Sequence, residues 1–268
     1  MSDTLLEAGP VLVDLDGGVA HVRLNRPEAL NGLDVPLLRA LYDALLLVHG
    51  DPRTRAVLLT GEGPSFCAGG DVKTFAAKGE ALPDYLREAT TWLQNCTTAL
   101  LALRAPVVAA VHGFAAGGGG FGLVCACDLV LAAQSSKFLL GATRVGMAPD
   151  AGGSVTLTRL VGLRKALEIA LTNPTLSAQE ALELGIVTRV VADDALLDEG
   201  RALAAALAAG PTLALAATKR LLWDGVGATV ADRLPEESRV VSELSGTADA
   251  REGLAAVIER RAPTFRGA

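Results

Sequence analysis

The sequence predicts an α/β protein, with a β/α core over residues 1–193 and a helical section over residues 194–268. Three observations lead there. Short apolar runs alternate with longer runs whose apolar residues recur at three- and four-residue spacing. Glycine-rich stretches follow two of the short runs, as loops between strand and helix do. Beyond about Asp194 the strand signals stop, and Ala- and Leu-rich segments such as "ALLDEGRALAAALAAG" and "DAREGLAAVIERR" take over. No low-complexity linker separates the two sections, so they are expected to fold as one unit.

Along the chain, "VLVDLDGGVAHVRLN" has two strand-like runs around Asp16-Gly17-Gly18, the pattern of a hairpin. Asp34 and Pro36 open a helix whose Leu37, Leu38, Leu41, Leu45 and Val48 share one face until Gly50. "RAVLLTGEG" is a buried strand and "PSFCAGGDVKTF" the loop after it. A helix around Leu82 to Leu103 leads into the strand "PVVAAVHG" and then the run "FAAGGGGFG". From Gly120, "GFGLVCACDLVLAA" passes from helix into a strand near Leu129 to Ala132. A second glycine loop, "PDAGG", opens the helical stretch "SVTLTRLVGLRKALEIAL". In "LSAQEALELGIVTRVV" the spacing of Ser177 and Glu180 is that of a capping box.

Composition narrows the function. Lys and Arg number 24 against 30 Asp and Glu, and the net charge of -6 offers no basic footprint for nucleic acid or an anionic membrane. The apolar window Val111 to Ala133 approaches the length of a membrane span, but its six glycines, His112 and Asp128 predict packed interior. "MSDTLLEAGP" lacks the basic and apolar regions of a secretory signal. Cys67, Cys96, Cys125 and Cys127 show no C-x-x-C spacing and are expected as buried free thiols. Both features predict a cytoplasmic protein. No metal site or redox cofactor is expected.

"FAAGGGGFG" satisfies G-x-G-x-x-G at Gly117, Gly119 and Gly122, after a strand. A dinucleotide site would place a carboxylate about twenty residues on, where this chain has "SSKFLLG". Close packing of helix on strand needs one or two glycines. Four in succession cost chain entropy and indicate that the backbone itself approaches or donates to something. A free N–H at a helix start stabilises a negative oxygen, and "SFCAGGDVK" is the candidate for a second donor.

"LNRPEALNGLD", "GEGPSFCAGGDVKTF", "AAVHGFAAGGGGFGLVCACDLVLAA", "GMAPDAGGSVTLTRLVG" and "LSAQEALELGIVTRVV" resemble, in order and spacing, the successive motifs of the crotonase, or enoyl-CoA hydratase/isomerase, superfamily. "REGLAAVIERRAPTF" is similar to its C-terminal helix. The resemblance implies a crotonase-like spiral of ββα units, a helical C-terminal trimerisation section, a homotrimer or a hexamer of two trimers, and a site for acyl-CoA thioesters. It also implies two main-chain donors to the thioester oxygen, here Gly70 and Gly118. Coenzyme A, present as part of the substrate and with no tightly bound cofactor beside it, would lie along Glu28, Ala29 and Leu30 and against Asp71, Val72 and Lys73. Arg260 and Arg261 are candidate phosphate partners across a subunit boundary.

The hydratases of this superfamily resemble one another in two glutamates, whose positions here hold Phe121 and Ala142. Asp150 in "PDAGG" stands in a place similar to the catalytic aspartate of dienoyl-CoA and epoxyphenylacetyl-CoA isomerases. One positioned aspartate can take a proton from one carbon and return it to another, and apolar neighbours such as Phe121 would raise its basicity. The expected activity is therefore a double-bond isomerisation with Asp150 as acid/base. The alternatives are a hydratase of atypical site, a hydrolysis like that of 4-chlorobenzoyl-CoA dehalogenase, whose segment "LTNPTL" resembles, and an acyl-CoA-binding protein with little catalysis. Asp150 also has the offset of a helix N-cap. Asp71 is expected to fix its loop, His112 to be a structural histidine and Glu62 a solvated charge.

Overall fold

The computed structural model describes residues 3–268. Gly17 and Gly18 take the left-handed φ values (55° and 84°) that a two-residue hairpin loop requires. Strands β2 (Val11–Asp16) and β3 (Val19–Leu24) consequently pair antiparallel, from Asp16 opposite Val19 to Val11 opposite Leu24. A strand the sequence did not signal, β1 (Asp3–Leu6), adds antiparallel to β2. Parallel strands β4 (Ala56–Gly61), β5 (Val107–Val111), β7 (Leu129–Ala133) and β10 (Arg189–Val191) complete a seven-stranded sheet in the order β1-β2-β3-β4-β5-β7-β10. A second sheet, in the order β6-β8-β9, joins β6 (Phe114–Ala116), β8 (Lys137–Leu139) and β9 (Leu176–Ser177). Strands this short carry too little periodicity to be read locally, and β6 lies inside the predicted glycine loop.

Helix α1 (Val35–Gly50) starts where Asp34 accepts the Leu37 N–H at 2.9 Å, and it buries Leu37, Leu38, Leu41, Leu45 and Val48 as its spacing predicts. After the short α2 (Val72–Ala76), α3 (Leu82–Ala102) packs on α1. Helix α4 (Gly117–Cys125) begins three residues before the predicted Gly120, so the glycine run is its first turn. The stretch expected as one helical run is two helices, α5 (Gly153–Val161) and α6 (Leu163–Thr172), broken at Gly162. At α7 (Ala178–Glu183) both bonds of the predicted capping box are present. The helical section contains α8 (Leu196–Ala208), α9 (Thr212–Gly225), α10 (Val230–Ser245) and α11 (Ala248–Glu259).

The main sheet is covered on both faces. One core includes residues of α1, α3 and α4, and a second packs Leu58, Val108 and Leu131 of the sheet against Leu196, Ala204 and Ala208 of α8. Thus α8 lies on the core rather than beyond it. The window 111–133 is mostly buried, as predicted, and all four cysteines are free and buried. Burial pushes the Cys67, Cys96 and Cys125 thiols up to about 12. Among the described residues no single helix is long and apolar enough to cross a membrane.

Helix α9 is held by a polar clamp. Lys219 Nζ, on a side chain only 6% exposed, lies 2.8 Å from Asp128 Oδ2 and donates to the Leu100 carbonyl at 2.9 Å. One turn on, Trp223 Nε1 donates to Asp128 Oδ1 at 3.1 Å, while Asp128 also accepts the Val107 N–H at 2.7 Å. Removing one partner of such a pair costs more than removing both, because it strands the other charge. Lys219→Ala should therefore lower the unfolding free energy by about 3 kcal/mol in urea titrations, and Lys219→Met with Asp128→Asn should recover part of that loss.

Candidate active site

The loop after β4 can be followed by where its main-chain donors go. Phe66 N–H donates to the His112 carbonyl (2.9 Å), Cys67 to Phe114 (2.9 Å), Ala68 to Leu30 (3.0 Å) and Asp71 to Leu33 (3.0 Å). Gly69 N–H points at the Cys67 sulfur at 3.5 Å. Gly70 N–H has no acceptor among the described residues. Its neighbours explain why. Leu33 and Gly70 form a parallel β-bridge in which Leu33 donates to Gly69 O (2.7 Å) and accepts from Asp71, so the N–H of Gly70 itself is turned away from Leu33.

On its other side the loop is joined to β6, since Ala116 N–H donates to Cys67 O at 2.9 Å. Helix α4 starts immediately afterwards, without a side-chain cap on its first turn. The first N–H groups of a helix have no intrahelical acceptor, and that of Gly118 has no other acceptor among the described residues. The two glycine loops meet main chain to main chain. A Cβ at Gly69 would overlap Ala116 O, and one at Gly117 would lie 2.9 Å from Gly69 Cα. Within α4, Gly119 faces Leu33, Gly120 would set a Cβ 2.6 Å from Cys67 O, and Gly122 one 2.5 Å from the Ala151 methyl. Close packing thus accounts for three glycines. Gly118 differs, because a Cβ there would fall on Asp150 Oδ1.

Asp150 is not the N-cap of α5. That position is Gly152, and no side chain caps the helix. Ala151 instead takes a left-handed φ of 50°, uncommon for a residue with a side chain, and Gly153 N–H closes the turn on Asp150 O at 2.8 Å. The turn presses the carboxylate onto α4, where Oδ1 is buried without a hydrogen-bond partner. Burial raises the Asp150 pKa above the ordinary carboxylate value, partly offset by a contact with its own N–H. Asp150 lines a cavity of about 430 Å³ together with Gly70, Gly118, Leu33, Phe75 and Leu93, and it is the one carboxylate among the lining residues.

Ala142 also lines this cavity. Phe121 does not. It is wholly buried with its ring edge-on to Phe138 (centroids 6.4 Å, 70°). Gly118 and Gly122 of α4 both lie against the Asp150 turn and offer no carboxylate.

Asp71 caps α2, accepting the Thr74 N–H (3.1 Å) and hydroxyl (2.9 Å) and an Arg26 N–H (3.2 Å). Burial alone would raise its pKa, but these donors outweigh it and hold the carboxyl below the ordinary range. Glu28 and Ala29 belong to a 3₁₀ turn, followed by Leu30. This segment lies beside Asp71, Val72 and Lys73, linked through Ala68–Leu30 and Arg26–Asp71, with Leu30, Val72 and Lys73 exposed. His112 Nε2 is 2.8 Å from the Gly63 carbonyl, and Glu62 pairs with Arg23 at 3.3 Å. Arg261 is paired with Glu252 and Glu259, each at 2.6 Å. Among the described residues no three His, Cys, Asp or Glu side chains are grouped to hold a metal ion.

Two residues of "NRPEALNGLD" went unread in the sequence. Asn31, fully buried, accepts the Arg26 N–H (2.8 Å) and donates to the carbonyls of Glu62 (2.9 Å) and Ser65 (2.8 Å), and Arg26 reaches both Asp34 and Asp71. Their signal is the density of polar residues in a short non-periodic stretch, which does not say which backbone they bind.

An α/β fold whose two glycine loops meet on one cavity, lined by Gly70, Gly118 and the single carboxylate Asp150, is that of the crotonase class. The enoyl-CoA hydratase/isomerase family model matches residues 14–268, and the chain belongs to that family of enzymes. It is 39% identical to a Rhodobacter capsulatus protein named "Probable enoyl-CoA hydratase", over 95% of this chain and 96% of that one. It is 36% identical to the 1,2-epoxyphenylacetyl-CoA isomerase of Escherichia coli, over 96% and 98%, and 35% identical to the (E)-benzylidenesuccinyl-CoA hydratase of Thauera aromatica, over 97% and 100%. The crystal structure of an enoyl-CoA hydratase from Bacillus anthracis superposes with a TM-score of 0.91 at 33% identity, over 97% of this chain and all of that one.

The raised pKa of Asp150 has a signed consequence for stability. A carboxyl whose folded pKa is raised contributes stability that is present below about pH 4 and lost as pH rises through the folded value. Asp150→Asn should therefore raise the thermal midpoint at pH 7 by on the order of 2 °C, and the gain should vanish in melts at pH 4 or below.

Proposed function

We propose that this enzyme shifts a carbon–carbon double bond in an acyl-CoA thioester, with Asp150 as the acid/base and the N–H groups of Gly70 and Gly118 holding the thioester oxygen. The observation that carries the reading is Asp150 Oδ1, buried, unpaired and set against Gly118 in a cavity with no second carboxylate. In a 3-enoyl thioester the two donors would stabilise negative charge on the carbonyl oxygen as Asp150 takes a proton from C2. The resulting dienolate regains that proton at C4, leaving a 2-enoyl thioester and the carboxylate restored. Poor solvation of the carboxylate raises its basicity for the first step.

Coenzyme A is placed along Glu28, Ala29 and Leu30 and against Asp71, Val72 and Lys73, supported by the adjacency of the two segments and the exposed Lys73 ammonium. The name of the Escherichia coli relative favours isomerisation. The names of the Rhodobacter and Thauera relatives favour a second reading, hydration by an atypical site. Hydration would require one carboxyl both to activate water and to deliver a proton, whereas the shift asks one task of it at a time. Association into a trimer or a pair of trimers is supported by apolar residues without partners in the single chain. Leu163, Leu167 and Leu171 recur every four residues on α6 with 64%, 40% and 69% exposure, and Val257 and Ile258 of α11 are more exposed still.

Purified enzyme given a 3-enoyl-CoA should form the 2-enoyl product, and rapid hydration of crotonyl-CoA without any shift would overturn the assignment. Asp150→Asn should lower kcat for the shift by at least a hundredfold with acyl-CoA binding retained; retained activity would return Asp150 to a structural role. In the wild type kcat/KM should rise with pH through an apparent pKa above the ordinary aspartate value, and that limb should be absent from any residual activity of the variant.

A further inference from the structure

We infer that Arg26, which does not line the cavity, is the positioning residue for the Gly70 donor; the inference rests on the role proposed above for Gly70. The Arg26 side chain, 20% exposed, sits between the carboxylates of Asp34 and Asp71, each 13% exposed. Its Nη1 is 3.0 Å from Asp34 Oδ2 and donates to the Gly32 carbonyl at 2.6 Å, and its Nη2 is 3.2 Å from Asp71 Oδ2. Each carboxylate uses its other oxygen to cap a helix, Asp34 Oδ1 accepting from Leu37 and Asp71 Oδ1 from Thr74.

These contacts fall on both sides of the bridge that orients Gly70. Gly32 and Asp34 flank Leu33 on one side, and Asp71 follows Gly70 on the other. Arg26 therefore fastens together the two short segments whose main-chain bonds turn the Gly70 N–H away from Leu33. The cap on α2 has a further effect, because that helix carries Phe75. A Cβ at Gly70 would lie 2.5 Å from Phe75 Cε2, so Gly70 is held between the bridge and this ring. Without the guanidinium, two largely buried negative charges would stand near each other with no cation between them, and their repulsion acts to open the bridge. Lysine is a poor replacement. A single ammonium lacks the planar fork that serves two carboxylates and a carbonyl at once.

The test uses two ligands that differ at the oxygen the donors bind: hexanoyl-CoA, and S-hexyl-CoA, the thioether without a carbonyl. Calorimetry on the wild type should show tighter binding of the thioester. In Arg26→Lys and Arg26→Gln that preference should fall about tenfold while thioether affinity changes little, and kcat for the double-bond shift should fall by a similar factor with KM moving less. The lysine variant retains the charge and serves if the glutamine variant does not fold. Preference kept in a folded variant, or equal weakening of both ligands, overturns the positioning role. A wild type that binds both ligands equally would overturn the donor reading of Gly70 and Gly118 instead.

Discussion

The site depends on one contact, the main chain of Gly69 against that of Ala116 and Gly117. Two loops that follow different strands, β4 and β5, cannot bring their backbones this close if Gly69 or Gly117 bears a Cβ. The contact is fixed on both flanks by ordinary β bonds. Cys67 exchanges hydrogen bonds with Phe114 and Ala116, and Leu33 bridges to Gly69 and Asp71. What remains on each loop is unpaired main-chain N–H at the cavity, that of Gly70 on one and, among those of the first turn of α4, that of Gly118 on the other.

Among the polar groups left without partners near one another are the N–H of Gly70, the N–H of Gly118 and Oδ1 of Asp150. A buried, unpaired polar atom such as Asp150 Oδ1 costs roughly 1–3 kcal/mol, and the left-handed Ala151 beside Asp150 adds strain. A chain tolerates such a cluster when the surroundings are over-determined. Here they are, by a sheet covered on both faces, by the Asn31 and Arg26 bonds beneath the first loop, and by the Lys219–Asp128–Trp223 clamp on the first helix beyond α8. A buried, unpaired carboxylate oxygen beside a strained turn and lining a cavity marks this place as the candidate site.

Much of this was legible in the sequence, and what was missed has physical reasons. The hairpin at Gly17-Gly18, the Asp34 cap and the Ser177 capping box are local devices whose residues state their own geometry. The strands β6, β8 and β9 are two or three residues long and exist because partners distant in sequence pair with them. Asp150 was ambiguous for a related reason. An aspartate at that offset caps a helix in many proteins, and only the left-handed turn at Ala151 turns its carboxylate to α4 instead. Motif position alone does not tell that Phe121 leaves the cavity lining and packs in the core edge-on to Phe138.

The four-glycine run meets several demands at once. Gly117 admits the neighbouring loop, Gly119 and Gly120 admit Leu33 and Cys67, and Gly118 leaves room for a carboxylate over its Cα while its N–H stays unpaired. The unpaired N–H and the Asp150 carboxylate thereby meet at one residue. In the proposed chemistry, an oxygen held by the Gly118 N–H places the adjacent carbon near the face on which Asp150 lies, so the same missing side chain serves both the hole and the proton transfer. Any side chain at position 118 would displace the Asp150 carboxylate even if it left the N–H unpaired. The carboxylate thus stands on the turn before α5 rather than on α4. The absence of side chains at Gly118 and Gly122 is what makes room for it there.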